Sequence, residues 1–80
     1  MFISNATEED INLLHKNVSD KVRAFRTKQN MSQLELALTI GLKSAAFFGN
    51  AENNINGKHF NIEHIYKIAK ALNLDMKEFF

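Results

Sequence analysis

The segment that decides the fold is SQLELALTIGLKSAAFFGNAE, residues 32–52, which carries the local signals of two short helices joined by a tight turn. Ser32 is suited to cap the first helix, and Glu35 can reach back to the Ser32 amide to complete a capping box. Gly41 is suited to end that helix, because glycine enters the left-handed conformation at little cost. The segment therefore predicts a helix, a turn at the glycine and a second helix.

The two predicted helices cover residues 33–40 and 44–52. The first carries an apolar stripe at helical spacing. In the second, Phe47 and Ala51 lie four residues apart and so share one face of the helix. We therefore expect Phe47, rather than Phe48, to point into the core.

Capping residues predict further helices on both sides of this segment. Thr7 can cap a long N-terminal helix whose apolar residues recur at helical spacing. A break in that helix near Asn17 or Ser19 is an alternative, since both residues can cap. Asn61 can cap a fourth helix, which Asn73 is suited to end.

A short terminal helix completes the predicted set, because Asp75 and Glu78 have the spacing of another capping box. The chain has no proline and no alternating run of β-branched residues, so nothing favours strands. The predicted fold is all-α with five helices. It forms a single domain over residues 1–80, with an N-terminal helical extension at 7–19 and a core at 20–80.

The composition restricts the class of protein. Eighty residues, 45% of them hydrophobic and 24% charged, suit one small globular domain. The absence of cysteine excludes both a disulfide framework and a cysteine-based zinc site. No apolar run approaches the length that spans a bilayer, and the N-terminus is acidic rather than basic. We therefore expect an intracellular, cytoplasmic protein without a membrane segment.

The charge is unevenly distributed along the chain, although the net charge is only +1. Residues 20–60 carry six Lys and Arg against three acids, whereas residues 1–19 carry one Lys against three acids. Residues 61–80 are balanced. The positive excess thus lies on the part with the two short helices, which favours an anionic partner there. The alternative is an ordinary solvated surface.

Five pieces of the chain carry a resemblance to a known family. They are, in order, VRAFR, MSQLELA, IGL, AEN and IYKIAKALNLDMKEFF. With this order and spacing, residues 21–80 resemble the phage-repressor-like, Cro-type helix-turn-helix family, the XRE-like regulators. The resemblance implies a lambda-repressor-like DNA-binding domain with an extended N-terminal helix. It also implies a sequence-specific transcriptional regulator, a repressor, with double-stranded operator DNA as its partner, no cofactor and no enzymatic activity.

The resemblance assigns DNA contacts to the two short helices and to the loop after them. The start of the first helix would face a phosphate, with Gln33 anchoring the DNA backbone, and helix 44–52 would enter the major groove. The alternatives are that Ser32 is only a cap, that Gln33 is only solvated and that the loop only carries the chain around the turn. The candidate DNA-binding residues are Ser32, Gln33, Lys43, Ser44, Ala45, Phe48, Gly49, Asn50, Asn53, Asn54 and Lys58.

A structural role is implied for two charged residues. Arg26 and Glu52 resemble the family's internal ion pair, which ties the N-terminal helix to the end of the second short helix. Arg23, Lys28 and Lys58 receive no such partner, and we expect them to be freer.

Two features depart from the family pattern. Glu52 follows Gly41 by eleven residues, one more than the pattern, so one residue is added in the turn or as a bulge in the helix. The candidate reading face is also apolar, because Ala45, Ala46 and Phe48 offer no hydrogen bonds. This keeps open a protein-interaction module on the same fold, or the antitoxin of a toxin–antitoxin pair, which would bind both DNA and a protein.

The histidines suggest a metal site only weakly. His59 and His64 are five residues apart, a spacing that does not place them on one helical face. We expect them to be solvated or capping residues. The sequence also has no plausible nucleophile with its triad and no glycine-rich phosphate loop, which argues against an enzyme.

We expect a homodimer, because a single module of this size covers little DNA. The two candidate surfaces are the N-terminal helix, residues 7–18, and the C-terminal pair Phe79–Phe80. The stripe of Ile11, Leu14 and Val18 is expected to pack on the domain itself.

Overall fold

A computed structural model describes residues 4–80, so the first three residues of the predicted 1–80 domain lie outside the described part. Within that part the chain forms no strand, which confirms the all-α prediction. The number of five helices is wrong, since the described residues form four α-helices and two 3₁₀ turns. The α-helices are α1 (Glu8–Lys28), α2 (Gln33–Thr39), α3 (Ala45–Glu52) and α4 (Ile62–Leu72), and the 3₁₀ turns are Ile55–Gly57 and Met76–Phe79.

The predicted fifth helix is the second of these 3₁₀ turns. The Asp75 side chain accepts a hydrogen bond from the amide of Lys77, at 3.0 Å, and not from the amide of Glu78. The predicted capping box at this position therefore does not form. The single tight turn still places Phe79 in the core, where it is fully buried.

Helix α1 is continuous over 21 residues, so the alternative of a break near Asn17 or Ser19 is excluded. Thr7 caps it through a complete capping box. The hydroxyl of Ser19 instead donates to the backbone oxygen of Ala51, at 3.1 Å, and joins α1 to α3. The side chain that could have ended the helix thus serves a tertiary contact.

The N-terminal stripe of α1 packs on the domain over only part of its length. Val18 is buried, but Ile11 and Leu14 are 46% and 49% exposed. The expectation that all three pack on the domain is therefore wrong for Ile11 and Leu14. Residues 8–14 of α1 are all exposed, so the packed core covers this stripe only from Val18 onward.

Gly41 ends α2 as predicted. Its φ of +91° lies in the left-handed region, and the amide of Leu42 donates to the oxygen of Ala37 at 2.9 Å. The Gly41 amide donates to the oxygen of Leu38, which completes a Schellman motif. This closed turn reverses the chain so that α3 can cross α2.

Phe48, not Phe47, is the core residue of α3. Phe48 is fully buried, and its ring meets that of Phe60 edge-on with centroids 5.1 Å apart. Phe47 is only partly buried, and the centroid of its ring lies 5.1 Å from that of the His64 ring. The preference for Phe47 is therefore wrong, because Phe48 also shares a helical face with Ala51 and its ring is the one that packs on Phe60.

The residue added relative to the family pattern lies in the turn. Helix α3 is an uninterrupted α-helix from Ala45 to Glu52, without a bulge. The extra residue therefore lies in the connection between α2 and α3, residues 40–44.

Helix α4 begins at a capping box that contains a histidine. The Asn61 side chain accepts from the amide of His64 at 2.8 Å, and the Nδ1 atom of His64 accepts from the amide of Asn61 at 3.0 Å. Only a neutral imidazole can accept this second bond. Burial and the neighbouring Lys67 lower the pKa of His64, while Glu63 acts in the opposite direction.

We predict that the melting temperature falls as the pH is lowered from about 7.5 to about 5.5, the range in which histidine titrates. The pKa of His64 is lower in the folded than in the unfolded protein. Its contribution to the free energy of unfolding is therefore fully present above the unfolded-state pKa and is lost as the pH falls through the folded-state pKa. His64→Gln keeps an acceptor in the cap and should show a smaller loss. His15, whose pKa burial and His59 lower, should account for part of the remaining loss. Thermal unfolding followed by circular dichroism measures the melting temperatures. An equal fall in melting temperature in His64→Gln and in the unmodified protein would contradict the assignment of the pH dependence to the His64 cap.

Candidate nucleic-acid interface

The carboxylate of Glu52, at the end of α3, is buried and fully hydrogen-bonded. Arg26 donates from Nε to Oε2 at 2.9 Å and from Nη2 to Oε1 at 2.8 Å. Gln33 donates from Nε2 to Oε1 at 3.1 Å. Burial alone would raise the pKa of Glu52, but the hydrogen bonds from Arg26 and Gln33 and the Arg26 charge hold it below its ordinary value. The carboxylate is therefore ionised at neutral pH.

Arg26 connects this carboxylate to the chain ahead of α2. The guanidinium donates from Nη1 to the backbone oxygen of Met31 at 2.8 Å, and Arg26 is only 9% exposed. The pair implied by the family resemblance between Arg26 and Glu52 is therefore present. It joins the end of α1, the start of α2 and the end of α3.

Arg23 also belongs to this network, although we expected it to be free. It donates from Nε to Oε1 of Glu52 at 3.2 Å, from Nη2 to the Glu52 backbone oxygen at 3.3 Å, and to the side chain of Asn53. The available sequence signal was the spacing of three from Arg26, which places both arginines on one side of α1. The spacing does not reveal the second partner, because the packing of α1 against α3 is needed to bring Glu52 within reach.

Gln33 lies between the buried network and the outer face of α3. Its amide nitrogen is directed at Glu52, and its amide oxygen lies 3.1 Å from the place that a Cβ atom on Gly49 would occupy. The absence of a side chain at position 49 therefore lets Gln33 lie against α3. The two helices are in direct contact at the position where the family pattern expects a DNA contact.

The candidate residues at the helix starts are also caps. The Ser32 hydroxyl accepts from the amide of Glu35 at 3.0 Å, and the Glu35 carboxylate accepts from the Ser32 amide at 3.0 Å. Ser44 caps α3 by accepting from the amide of Ala46 at 3.4 Å. Capping uses one lone pair of each hydroxyl and leaves the residue at the surface, where both serines are exposed.

The outer face of α3 and its preceding turn is small, polar at its ends and apolar in the middle. Lys43, Ser44 and Ala46 are exposed, while Ala45, Gly49 and Asn50 are partly buried. Phe48 does not belong to this face, and its inclusion among the DNA-binding residues is wrong. It is fully buried because its ring fills the core against Phe60.

The loop after α3 is held by its asparagines. Asn53 donates to the backbone oxygen of Gly49 at 2.9 Å and accepts from Arg23. Asn54 adopts a left-handed φ of 54°, and its side-chain oxygen lies 3.4 Å from the donating hydroxyl of Ser19. Both asparagines thus have structural contacts, whereas Lys58 is exposed.

The histidines fill structural positions. His64 caps α4, and the rings of His15 and His59 are stacked with centroids 3.7 Å apart. Among residues 4–80, no group of three or more His, Cys, Asp or Glu side chains is arranged to hold a metal ion. No helix of the described part is sufficiently long and apolar to cross a membrane.

The chain matches a known protein family over most of its length. A family model described as helix-turn-helix matches residues 22–79, from the last third of α1 to the last 3₁₀ turn. No curated protein and no solved structure matches the chain. The matched residues contain the Glu52 network and the exposed face of α3.

We predict that Arg26→Ala lowers the free energy of unfolding by about 3–5 kcal/mol, because it leaves the Glu52 charge buried without its main partner. Lys28→Ala, which removes an exposed charge two residues away on the same helix, is the matched control and should change stability by less than about 0.5 kcal/mol. Urea unfolding measures both values. Equal stability of the two variants would remove the assignment of Glu52 as the centre of the fold.

Proposed function

The chain belongs to the XRE-like, Cro-type helix-turn-helix family, and on this premise we propose that it binds operator DNA sequence-specifically as a transcriptional repressor in the cytoplasm. In this proposal α3 enters the major groove of double-stranded DNA, and the bound protein occludes a promoter. The observation that carries the proposal is the direct contact of α2 with α3 through the Gln33–Glu52 hydrogen bond, beside an exposed face of α3. A helix held by these hydrogen bonds can enter the groove while it keeps the contacts that fix its orientation.

The ends of the exposed face provide the polar contacts. Lys43 precedes α3 and can reach a phosphate or the acceptors of guanine. Asn50 lies on the partly buried side and can pair with adenine through its amide. Gln33, with its oxygen beside Gly49, can accept from a base edge or donate its second amide hydrogen to the backbone. Ser32, Ser44 and the loop residues Asn53, Asn54 and Lys58 complete the proposed phosphate contacts.

The middle of the exposed face of α3 offers apolar contacts rather than hydrogen bonds. Ala45 and Ala46 can contact thymine methyl groups, whereas the space beside Gly49 is occupied by the Gln33 amide. Such contacts discriminate bases weakly, so the specificity of one copy is limited. A homodimer that reads two half-sites would supply the remainder.

The central face is tested by Ala46→Glu. A carboxylate here meets the phosphate charge at the groove, so we predict that binding to genomic fragments weakens by about a hundredfold or more. Glutamate is a good helix former, and the position is exposed, so the melting temperature should change little. The matched control is Ala24→Glu on the exposed side of α1, which should bind like the unmodified protein. Electrophoretic mobility shift measures binding; equal affinity for the two variants would remove α3 as the reading helix.

The phosphate contact of Lys43 is tested by salt dependence. Lys43→Ala should reduce the slope of log affinity against log salt by about 1, because one fewer counterion is released. Lys77→Ala, which removes another exposed lysine, on the last 3₁₀ turn, is the control and should leave the slope unchanged. Affinity measured by fluorescence anisotropy over a series of salt concentrations gives both slopes. If no affinity appears at low salt in the unmodified protein, the proposal of DNA binding fails.

A further inference from the structure

The side-chain amide of Gln33 has a fixed orientation, because the group that it faces only accepts hydrogen bonds. Its Nε2 atom donates to Oε1 of Glu52 at 3.1 Å, and the Glu52 side chain is fully buried. An ionised carboxylate has no hydrogen to donate. The reversed amide would place the Oε1 atoms of Gln33 and Glu52 together without a hydrogen between them. The Gln33 oxygen therefore points away from Glu52.

The Oε1 atom of Gln33 is an acceptor that the described part of the chain does not use. Among residues 4–80, the Gln33 side chain makes one hydrogen bond, and it does so through Nε2. Every buried side-chain oxygen or nitrogen of these residues has a partner. Gln33 is only partly buried, so its unpaired oxygen is open to solvent. An open acceptor on a side chain that is held from within can meet a donor of another molecule.

This open oxygen lies against the face of α3 that the proposed function directs toward DNA. It is 3.1 Å from the place that a Cβ atom of Gly49 would occupy, so it packs directly on the helix. Ala45 lies four residues before Gly49 and shares this face, and its methyl side chain offers no hydrogen bond. Neither position supplies a side-chain donor, so the acceptor is available to the edge of a base.

We infer that Gln33 selects a base whose edge in the major groove carries an amino group, which is adenine or cytosine. Adenine N6 and cytosine N4 are the donors in that groove, whereas guanine and thymine present acceptors and no amino group there. A phosphate oxygen is also an acceptor and does not bond to Oε1. Adenine suits the site better than cytosine, because its N7 atom can accept the second hydrogen of the Gln33 amide.

The selection follows from the same buried network that joins the helices. Arg26 and Arg23 hold the Glu52 carboxylate in place, and this carboxylate determines which end of the Gln33 amide is directed outward. A neutral donor in place of Glu52 would reverse the amide and present its nitrogen instead. The inference rests on the proposed function and deepens it, because it names the chemical group on DNA that one side chain recognises.

The first test is the selection of bound duplexes from a random DNA pool by the unmodified protein and by Gln33→Met. Methionine keeps the length of the side chain but has no amide. We expect the variant to lose a preference for adenine or cytosine at one position of the bound site, while the other positions keep theirs. The inference is overturned if the preference that disappears is for guanine or thymine, or if no position changes.

The second test removes the amino group of the DNA instead of the side chain. In a duplex obtained by this selection, the adenine or cytosine is replaced by the analogue that lacks only its exocyclic amino group. The unmodified protein should lose about tenfold in affinity, the effect of about one hydrogen bond, whereas Gln33→Met should bind the two duplexes equally. Lys58→Ala, which removes an exposed cation from the loop after α3, is the control and should keep the tenfold difference. Fluorescence anisotropy measures the affinities.

The outcomes separate this inference from the proposed function. If the unmodified protein binds no duplex at low salt, the proposed function fails and the inference fails with it. If the unmodified protein binds the two duplexes with equal affinity, only the inference is overturned, whatever the fold of Gln33→Met. An equal loss in the unmodified protein and in a folded Gln33→Met also overturns it, because the amino group then acts through another residue; thermal unfolding checks the fold of the variant.

Discussion

The buried carboxylate of Glu52 is the constraint on which the positions of the other elements depend. An ionised group inside a protein is costly unless it is paired and hydrogen-bonded. Both of its oxygens are satisfied, by Arg26 and Arg23 from α1 and by Gln33 from α2. Because these donors lie on two other helices, satisfying one charge at the end of α3 fixes three helices relative to one another. The Arg26 bond to Met31 extends the same constraint to the turn before α2.

The same constraint shapes the proposed interface. Gln33 is held by Glu52 from the inside and rests against Gly49 on the outside, so α2 and α3 meet without a bulky side chain between them. The face that remains exposed is small and apolar in its middle. The proposed polar DNA contacts therefore lie at its ends, where Lys43 and Asn50 are found.

Local signals in the sequence predicted the four α-helices and their ends, because caps act within three or four residues. Thr7, Ser32 and Asn61 cap their helices as expected, and Gly41 ends α2 in the left-handed region. The prediction of the core-facing residue of α3 failed, because two residues fitted the local spacing equally well. Phe47 and Phe48 both share a helical face with Ala51, at spacings of four and three. Tertiary packing, in which the Phe48 ring meets Phe60 within the buried cluster, decides that Phe48 enters the core.

The sequence by itself determined the helical class, the turn between α2 and α3 and, through family likeness, the pair of Arg26 with Glu52. Tertiary structure alone decided which residues join that pair and which remain uncovered. Arg23 and Glu52 are 29 residues apart, and no local rule relates them until α1 packs on α3. The uncovered state of Ile11 and Leu14 is likewise invisible in their spacing. Periodicity states which face of a helix is apolar, but only packing decides how far along the helix that face is buried.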